Sequence, residues 1–233
     1  TLVEQMTTII TPRPPFDFRL TAAYATYFRG RDGADQFENG VLQHPMALEG
    51  GPCLASVRSL GSVDSPHLEV ALKGQRLGQD SVQEARAQST RFLGADQDLS
   101  SFYLLAENDR HLGPLVRALW GLHVPQTATV FEGLILAILG QQISSHVARM
   151  LRTLLVETYG RRLQVDELTF HAFPSPQVVA MADVAGMRAI KMSARKAEYI
   201  VEIARRVASG ELDLEGLREQ PDEEIIRVLT DLR

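Results

Sequence analysis

Residues 131–144, F-E-G-L-I-L-A-I-L-G-Q-Q-I-S, carry the strongest structural signal in the chain. The apolar side chains in this stretch recur at the spacing of one helical face. They are Phe131, Leu134, Ile135, Ile138 and Leu139. Residues 140–142, G-Q-Q, interrupt this face, and Ser144 can cap a following helix. The stretch therefore predicts a buried helix, a polar turn and a second amphipathic helix.

Two glutamines, Gln141 and Gln142, lie at the junction between the two predicted helices. Their side-chain amides can cap the helix ends, or they can present hydrogen-bonding groups to a ligand. Spacing alone favours the capping role, and the residue types leave both roles open.

Composition bounds the class of protein. The chain has 233 residues, 45% of them hydrophobic, and one cysteine, Cys53, so no internal disulfide can form. It has no apolar run of the roughly 18 residues that a membrane helix needs, and no secretory signal is visible at its start. We therefore expect a cytoplasmic protein with no membrane partner.

The net charge of −5 argues mildly against nucleic-acid binding, because such binding depends on lysine and arginine. One basic cluster lies between residues 186 and 210, opposed only by two glutamates. Its members are Arg188, Lys191, Arg195, Lys196, Arg205 and Arg206. This cluster can bind a phosphate backbone, or it can be a solvated helix face, and both interpretations stay open.

Hydrophobic periodicity divides the chain into residues 1–79, 80–129 and 130–233. The first region predicts a helix at 20–28, with Leu20, Ala23, Tyr24 and Tyr27 on one face. It also predicts three strands, at 41–48, 53–60 and 67–72, which make a small α+β unit with an antiparallel sheet.

The second region predicts a helical connecting segment that begins with Asp80 as a cap, and Trp120 near its end is expected in the core. The third region has no strand signal. Its predicted helices lie at about 130–142, 145–159, 176–182, 193–209 and 221–232.

The stretch at 131–144 resembles the signature F-E-x-x-V-x-A-I-L-x-Q-Q-[IV]-S of AlkA-like 3-methyladenine DNA glycosylases, in the helix-hairpin-helix superfamily. Further pieces of the chain resemble family motifs in the same order, and the resemblance is weakest over residues 32–129. These pieces are P-P-F-D-F at 14–18, T-Y-G at 158–160, F-P-S-P at 173–176, M-S-A-R-K-A at 192–197, G-E-L-D-L at 210–214 and L-T-D-L at 229–232.

The resemblance implies an α+β protein, in which a small antiparallel-sheet domain, similar to half of a TATA-binding protein, precedes an all-α glycosylase domain. It implies a monofunctional enzyme that flips alkylated purines out of double-stranded DNA and excises them in base excision repair. We expect it to act as a monomer associated with the bacterial nucleoid, without a cofactor or a metal site.

The same resemblance suggests roles for individual residues. Gln142 matches the wedge that fills the gap left by a flipped base, although a helix-junction cap remains open, and Gln141 beside it is expected to be structural. Arg195 and Lys196 are candidate phosphate contacts, so the predicted DNA-binding set is Gln142, Gln141, Arg195 and Lys196. Tyr24 matches a base-pocket aromatic, or it packs the first helix against the sheet.

The family's hairpin motif, L-x-G-I-G-x-x-T-A, and its catalytic aspartate follow the position at which this sequence ends. The catalytic residue is therefore expected beyond Arg233, and none is assigned within the chain. Glu132 and Asp183 match family positions that are structural, and Asp17 lies in the opening motif. The six histidines show no metal-ligand spacing and are expected to be surface or ordinary core groups.

Two other functions remain possible on sequence grounds. An 8-oxoguanine glycosylase shares the three-part layout but uses a lysine nucleophile in the hairpin. A non-catalytic DNA-binding protein could use the same scaffold.

Overall fold

The computed structural model describes residues 4–27, 35–165 and 168–232. It contains the predicted antiparallel sheet, which has five strands. They are β1 (Glu4–Ile10), β2 (Gln36–Glu38), β3 (Val41–Leu48), β4 (Gly51–Ser59) and β5 (Leu68–Gly74). Their order across the sheet is β1-β5-β4-β3-β2. The three predicted strands are confirmed as β3, β4 and β5.

Strands β1 and β2 were not predicted, because neither shows a clear alternation of apolar and polar residues over several positions. In β1 only Ile10 is fully buried, and β2 has three residues. The signal available for β2 was the pair Asn39-Gly40, which has φ values of 51° and 76°. Such a pair is typical of a two-residue hairpin turn, and here it joins β2 to β3.

The helices of the sheet-containing unit are α1 (Phe18–Tyr27), α2 (Gln79–Phe92), α3 (Ser100–Ala106) and α4 (Leu112–Ala118). The helix predicted to begin near Asp80 is confirmed as α2, in which Val82, Ala85 and Phe92 are buried. The predicted cap is wrong, because Gly78 occupies the capping position and Asp80 lies in the first turn.

Helix α1 presents a different face to the core from the predicted one. Tyr24 and Tyr27 are 42% and 72% exposed. The buried residues are Phe18, Thr21, Ala22 and Ala25. Phe18 fixes this rotation by packing edge-on against Phe37 of β2, with ring centroids 5.9 Å apart. The predicted helix at 20–28 begins two residues later than α1 and so leaves out Phe18.

His123 is a core group that joins distant segments of the sheet-containing unit. Its side chain is buried, with Nδ1 2.6 Å from the carbonyl oxygen of Gly94 and Nε2 3.0 Å from that of Pro15. Its backbone N–H donates to the Thr21 hydroxyl at 3.2 Å. Histidine here has the ordinary core role that the sequence predicts.

The helices of the second unit begin after residue 126. They are α5 (Val130–Gly140), α6 (Ser145–Tyr159), α7 (Pro176–Ala180), α8 (Val184–Ala189), α9 (Ala194–Ala208) and α10 (Asp222–Thr230), with a 3-10 helix at Glu215–Glu219. The predicted α5, α6, α7, α9 and α10 are confirmed. The side chain of Ser144 caps α6, as predicted, and that of Ser193 caps α9.

The expectation of no strand after residue 130 is wrong. Strands β6 (Arg161–Val165) and β7 (Leu168–Ala172) form a two-stranded sheet. Leu163, Val165 and Phe170 are buried in a small apolar cluster with Leu54 of β4. Each strand has only five residues, so its alternation is too short to stand out beside the helices.

Contacts between Cα atoms divide the chain into two compact units. One comprises residues 1–126 and 163–170, and the other comprises residues 127–162 and 171–233. The three-region division proposed from the sequence stays a prediction. Among the described residues, no helix is both long and apolar enough to cross a membrane.

Cys53 should be unreactive while the protein is folded. Its thiol is fully buried in β4, and burial raises its pKa to about 12, so the reactive thiolate is scarce at neutral pH. We expect a thiol reagent such as dithionitrobenzoate to label the native protein at least about 100-fold more slowly than the protein in urea. Equal labelling rates would contradict the buried position of this strand.

Candidate nucleic-acid interface

The turn between α5 and α6 presents two exposed glutamines on helices that are each capped at the start. The Thr129 hydroxyl accepts a hydrogen bond from the Glu132 N–H at 3.1 Å at the start of α5. The Ser144 hydroxyl accepts one from the Val147 N–H at 3.3 Å at the start of α6. Gln141 and Gln142 are exposed between them. Both glutamine side chains therefore stand at a surface that local capping holds in place.

Gln142 has an unusual backbone conformation, with φ of 59°. Residues other than glycine are uncommon in this left-handed region, because Cβ approaches the following carbonyl oxygen at a cost of about 1–2 kcal/mol. Such conformations persist only where the surrounding structure determines them, and they concentrate at functional sites. The strain at Gln142 therefore marks this turn as a candidate site independently of any motif.

Lys196 holds the carboxyl end of α5. Its Nζ donates hydrogen bonds to the carbonyl oxygens of Leu139 at 2.7 Å and Gln141 at 2.8 Å. These carbonyls lie at the end of the helix, where intrahelical partners run out and the helix dipole favours a cation. Two of the three N–H donors of Lys196 are thus used within the protein. A phosphate contact by this residue stays a prediction.

Glu215 holds the opposite end of α5. Its Oε1 accepts hydrogen bonds from the backbone N–H groups of Val130 at 2.6 Å and Phe131 at 3.4 Å. A carboxylate is favourable at the amino end of a helix for the same reason that an ammonium is favourable at its carboxyl end. Between these charges, α5 is anchored by buried apolar residues that include Ile135 and Leu139. The helix that carries the glutamine turn is therefore fixed at both ends and along its side.

Arg195 is exposed one residue before Lys196, in the first turn of α9. Its guanidinium carbon lies 5.6 Å from the centroid of the Tyr199 ring, and its Nε and NH2 groups donate to the Tyr199 hydroxyl at 3.4 and 3.3 Å. These contacts limit the directions in which the side chain points. The arginine keeps an exposed charge at the end of α9 that holds the α5 turn.

The basic cluster predicted between residues 186 and 210 is not one face. Arg188, Lys191 and Arg195 are exposed at or before the amino end of α9. Arg205 and Arg206 lie ten residues further along α9, about 15 Å away. Arg205 donates to the Ala180 carbonyl oxygen at 3.4 Å, and Arg206 pairs with Glu211 at 2.8 Å. Only the first group provides a basic surface next to Lys196.

The acidic residues of the family motifs each have a structural partner. Asp17 accepts from the Leu20 N–H at 2.9 Å, and Asp183 caps α8 by accepting from the Gly186 N–H at 2.6 Å. Glu132 is buried with its Oε1 3.5 Å from an Arg152 nitrogen. In the described part of the chain, no group of three or more histidine, cysteine, aspartate or glutamate residues could hold a metal ion.

Two aromatic residues lie elsewhere than the sequence suggested. Trp120, expected in the core, is 44% exposed and packs against Tyr103, with ring centroids 4.3 Å apart. The pair lines a largely apolar cleft of about 560 Å³ that no sequence motif indicated. Tyr24 lies on the more exposed side of α1, and both its contact with a flipped base and its packing against the sheet stay predictions.

Comparison with known proteins identifies relatives of both units. The family described as "HhH-GPD superfamily base excision DNA repair protein" matches residues 135–232. A DNA-3-methyladenine glycosylase of Bacillus subtilis is 37% identical over 122 residues, which are 52% of this chain and 40% of that protein. The chain therefore spans about two fifths of the length of this curated relative.

Solved structures extend the comparison to nearly the whole chain. The 3-methyladenine DNA glycosylase of Archaeoglobus fulgidus superposes with a TM-score of 0.80 at 26% identity, over 97% of this chain and 74% of that one. An 8-oxoguanine glycosylase/lyase of Clostridium acetobutylicum gives a TM-score of 0.67 at 17% identity, over all of this chain and 75% of that one. The second likeness shows a shared fold.

Removing the charge at Glu215 should loosen the amino end of α5 in two steps. Glu215→Gln keeps an acceptor but loses the charge, so we expect a loss of about 0.3–1 kcal/mol in unfolding free energy. Glu215→Ala also loses the acceptor, for a total of about 1–2 kcal/mol. Urea unfolding measures both, with Glu219→Ala, an exposed glutamate of the same 3-10 helix, as the control. Equal stability of all three variants would show that Glu215 does not anchor α5.

Proposed function

We propose that this chain, whose residues 135–232 match the HhH-GPD superfamily of base excision DNA repair proteins, is part of a DNA glycosylase that excises alkylated purines of the 3-methyladenine type. The observation that carries the proposal is the combination of this family match with the likeness to 3-methyladenine glycosylases in sequence and in structure. The strained glutamine turn and the basic surface beside it supply the binding groups that such an enzyme needs.

Gln142 is the proposed wedge. An enzyme that acts on a base in a duplex must extrude the nucleotide at a cost of a few kcal/mol, and a side chain that fills the gap offsets part of that cost. Gln142 is exposed on a turn whose backbone is fixed at both sides, so its side chain can enter a gap without the turn first becoming ordered. Its amide can also hydrogen-bond to an unpaired base.

The exposed cations at the amino end of α9 are the proposed phosphate contacts. Arg188, Lys191 and Arg195 lie on or next to the helix that holds the glutamine turn. Phosphate contacts fix the register of a protein on the duplex, while the wedge acts at the base step. A local basic surface of this kind permits DNA binding by a chain whose net charge is −5.

The proposed substrates are alkylated purines, which are good leaving groups. A purine alkylated on the ring carries positive charge and leaves readily, so cleavage of its glycosidic bond depends on stabilising an oxocarbenium-like state opposite an ionised carboxylate. We assign that carboxylate to no residue of this chain. Tyr24 is the proposed stacking partner for the flipped base, because an exposed aromatic ring offers a sequence-tolerant stacking surface.

We further propose that the protein acts as a monomer on double-stranded DNA in the cytoplasm, in association with the nucleoid. An 8-oxoguanine glycosylase is the second candidate, supported only by a fold likeness at 17% identity. A non-catalytic DNA-binding protein is the third. The three functions differ in the base that is released.

The full-length protein should release 3-methyladenine from DNA treated with dimethyl sulfate. Chromatography of the free bases measures the release, and a duplex containing 8-oxoguanine serves as the second substrate. We expect release from the methylated DNA and none from the oxidised duplex. Release of 8-oxoguanine alone would favour the second candidate, and DNA binding without any release would favour the third.

Gln142→Ala in the full-length protein should reduce base flipping more than it reduces stability. We expect the equilibrium constant for flipping, measured by the fluorescence of a 2-aminopurine placed beside the lesion, to fall about ten-fold. This fall corresponds to about 1.4 kcal/mol of lost gap filling. Gln177→Ala, which changes another exposed glutamine of the same unit, is the matched control. Equal flipping in the two variants would remove Gln142 from the wedge role.

A further inference from the structure

We propose that Lys196 is a positioning residue, whose ammonium sets the backbone of the turn that inserts Gln142 into DNA. The effect of Lys196 on base flipping rests on the proposed function, whereas its effect on the turn concerns the free protein alone. It assigns Lys196 a role different from the phosphate contact that the sequence pattern suggests. Two observations carry it, namely the paired hydrogen bonds from Lys196 and the left-handed backbone at Gln142.

The Lys196 ammonium binds where α5 ends and the turn begins. Lys196 reaches from the first turn of α9 to carbonyl oxygens 57 and 55 residues earlier in the chain, those of Leu139 and Gln141. The two carbonyls lie on either side of Gly140, the last residue of α5. Hydrogen bonds from a charged donor are shorter and roughly twice as strong as neutral ones. The ammonium thus joins the end of α5 to the first residue of the turn.

The planarity of the peptide bond links this contact to the backbone of Gln142. The carbonyl oxygen of Gln141 belongs to the same planar group as the backbone nitrogen of Gln142. When Lys196 fixes the direction of that oxygen, it also fixes the orientation of the peptide plane that joins Gln141 to Gln142. Gln142 then adopts φ of 59°, which few residues other than glycine adopt. Without the ammonium, the peptide plane can rotate and relieve the unfavourable conformation.

The remaining hydrogen bonds of the turn hold other groups. The Gln141 N–H donates to the Ile138 carbonyl oxygen at 3.3 Å, and the Ser144 hydroxyl caps α6 on the other side. Both contacts lie outside the peptide group between Gln141 and Gln142. Among the described residues, Lys196 is the side chain that holds the carbonyl of that peptide. Its loss should therefore act on Gln142 more than on the helices.

A phosphate contact and a positioning role predict different salt dependences. Each phosphate contact contributes about 0.9 to the slope of log binding constant against log salt, because it releases a counterion. A lysine whose ammonium stays on the α5 carbonyls contributes little to that slope. Arg195, exposed one residue earlier, is the matched cation for which the phosphate role is proposed.

The experiment compares Lys196→Met, Lys196→Arg and Arg195→Met in the full-length protein. Asp183→Ala is the stability control, because it removes the cap of α8 in the same unit and leaves the α5 carbonyls untouched. Hydrogen exchange of the peptide that spans residues 139–145 is measured in free protein. The salt slope and 2-aminopurine flipping are measured with a lesion-containing duplex.

In Lys196→Met we expect exchange in residues 139–145 to accelerate about ten-fold, flipping to fall about ten-fold, and the salt slope to stay within about 0.3 of the parent value. Lys196→Arg should recover most of both losses, since a guanidinium also donates to two carbonyls. Asp183→Ala should leave the exchange of this peptide unchanged, and Arg195→Met should lower the slope by about 0.9.

Unchanged exchange at residues 139–145 in Lys196→Met would overturn the proposal. A fall in its salt slope equal to that of Arg195→Met would overturn it too, because Lys196 would then be a phosphate contact. If the full-length protein excises no base, the exchange measurement still decides whether Lys196 sets the turn. Failure of the proposed function and failure of this inference are therefore separate results.

Discussion

The hydrogen bonds from the Lys196 ammonium to the carboxyl end of α5 are the constraint on which the candidate site depends. They join two helices that are distant in sequence, and they end at the residue that precedes the strained glutamine. Helix α5 is largely apolar and buries one face, so its packing fixes the helix axis but not the backbone direction after its last residue. A charged side chain from α9 provides that direction. Glu215 provides the matching constraint at the other end.

This arrangement is favourable for the proposed wedge role of the polar turn. A flexible loop would have to be ordered on the DNA, at about 1–2 kcal/mol for each backbone residue that becomes fixed. A turn held between two capped helices avoids most of that cost before the duplex arrives. The proposed phosphate contacts Arg188, Lys191 and Arg195 are exposed at or before the amino end of α9, the helix that carries Lys196.

The parts of the structure that the sequence predicted depend on local rules. Helix α5, the turn and the cap at Ser144 follow from apolar spacing and capping chemistry within about fifteen residues. The same is true of β3, β4 and β5. The hairpin of β6 and β7 was missed because its strands are short, and the α1 face was wrong because Phe18 was left outside the helix. The first error comes from the shortness of the strands, and the second from the packing of Phe18 against Phe37, which local periodicity does not contain.

The sequence suggests the members of the candidate site but not their arrangement. Gln142, Arg195 and Lys196 were named from motifs, yet nothing in the sequence indicated that Lys196 turns inward to the α5 carbonyls, since that contact spans 55 residues. The division of the basic cluster also depends on pairing with Glu211 and the Ala180 carbonyl, which only the folded chain shows. Long-range polar contacts of this kind have no periodic signature in sequence.

A crystal structure of the full-length protein bound to a duplex with a stable abasic-site analogue tests the account most directly. The account predicts the Gln142 side chain in the gap opposite the analogue, with its backbone still left-handed. It also predicts Lys196 Nζ within about 3 Å of the Leu139 and Gln141 carbonyl oxygens. A Gln142 side chain outside the duplex, or a Lys196 ammonium moved from those carbonyls to a phosphate, would contradict it.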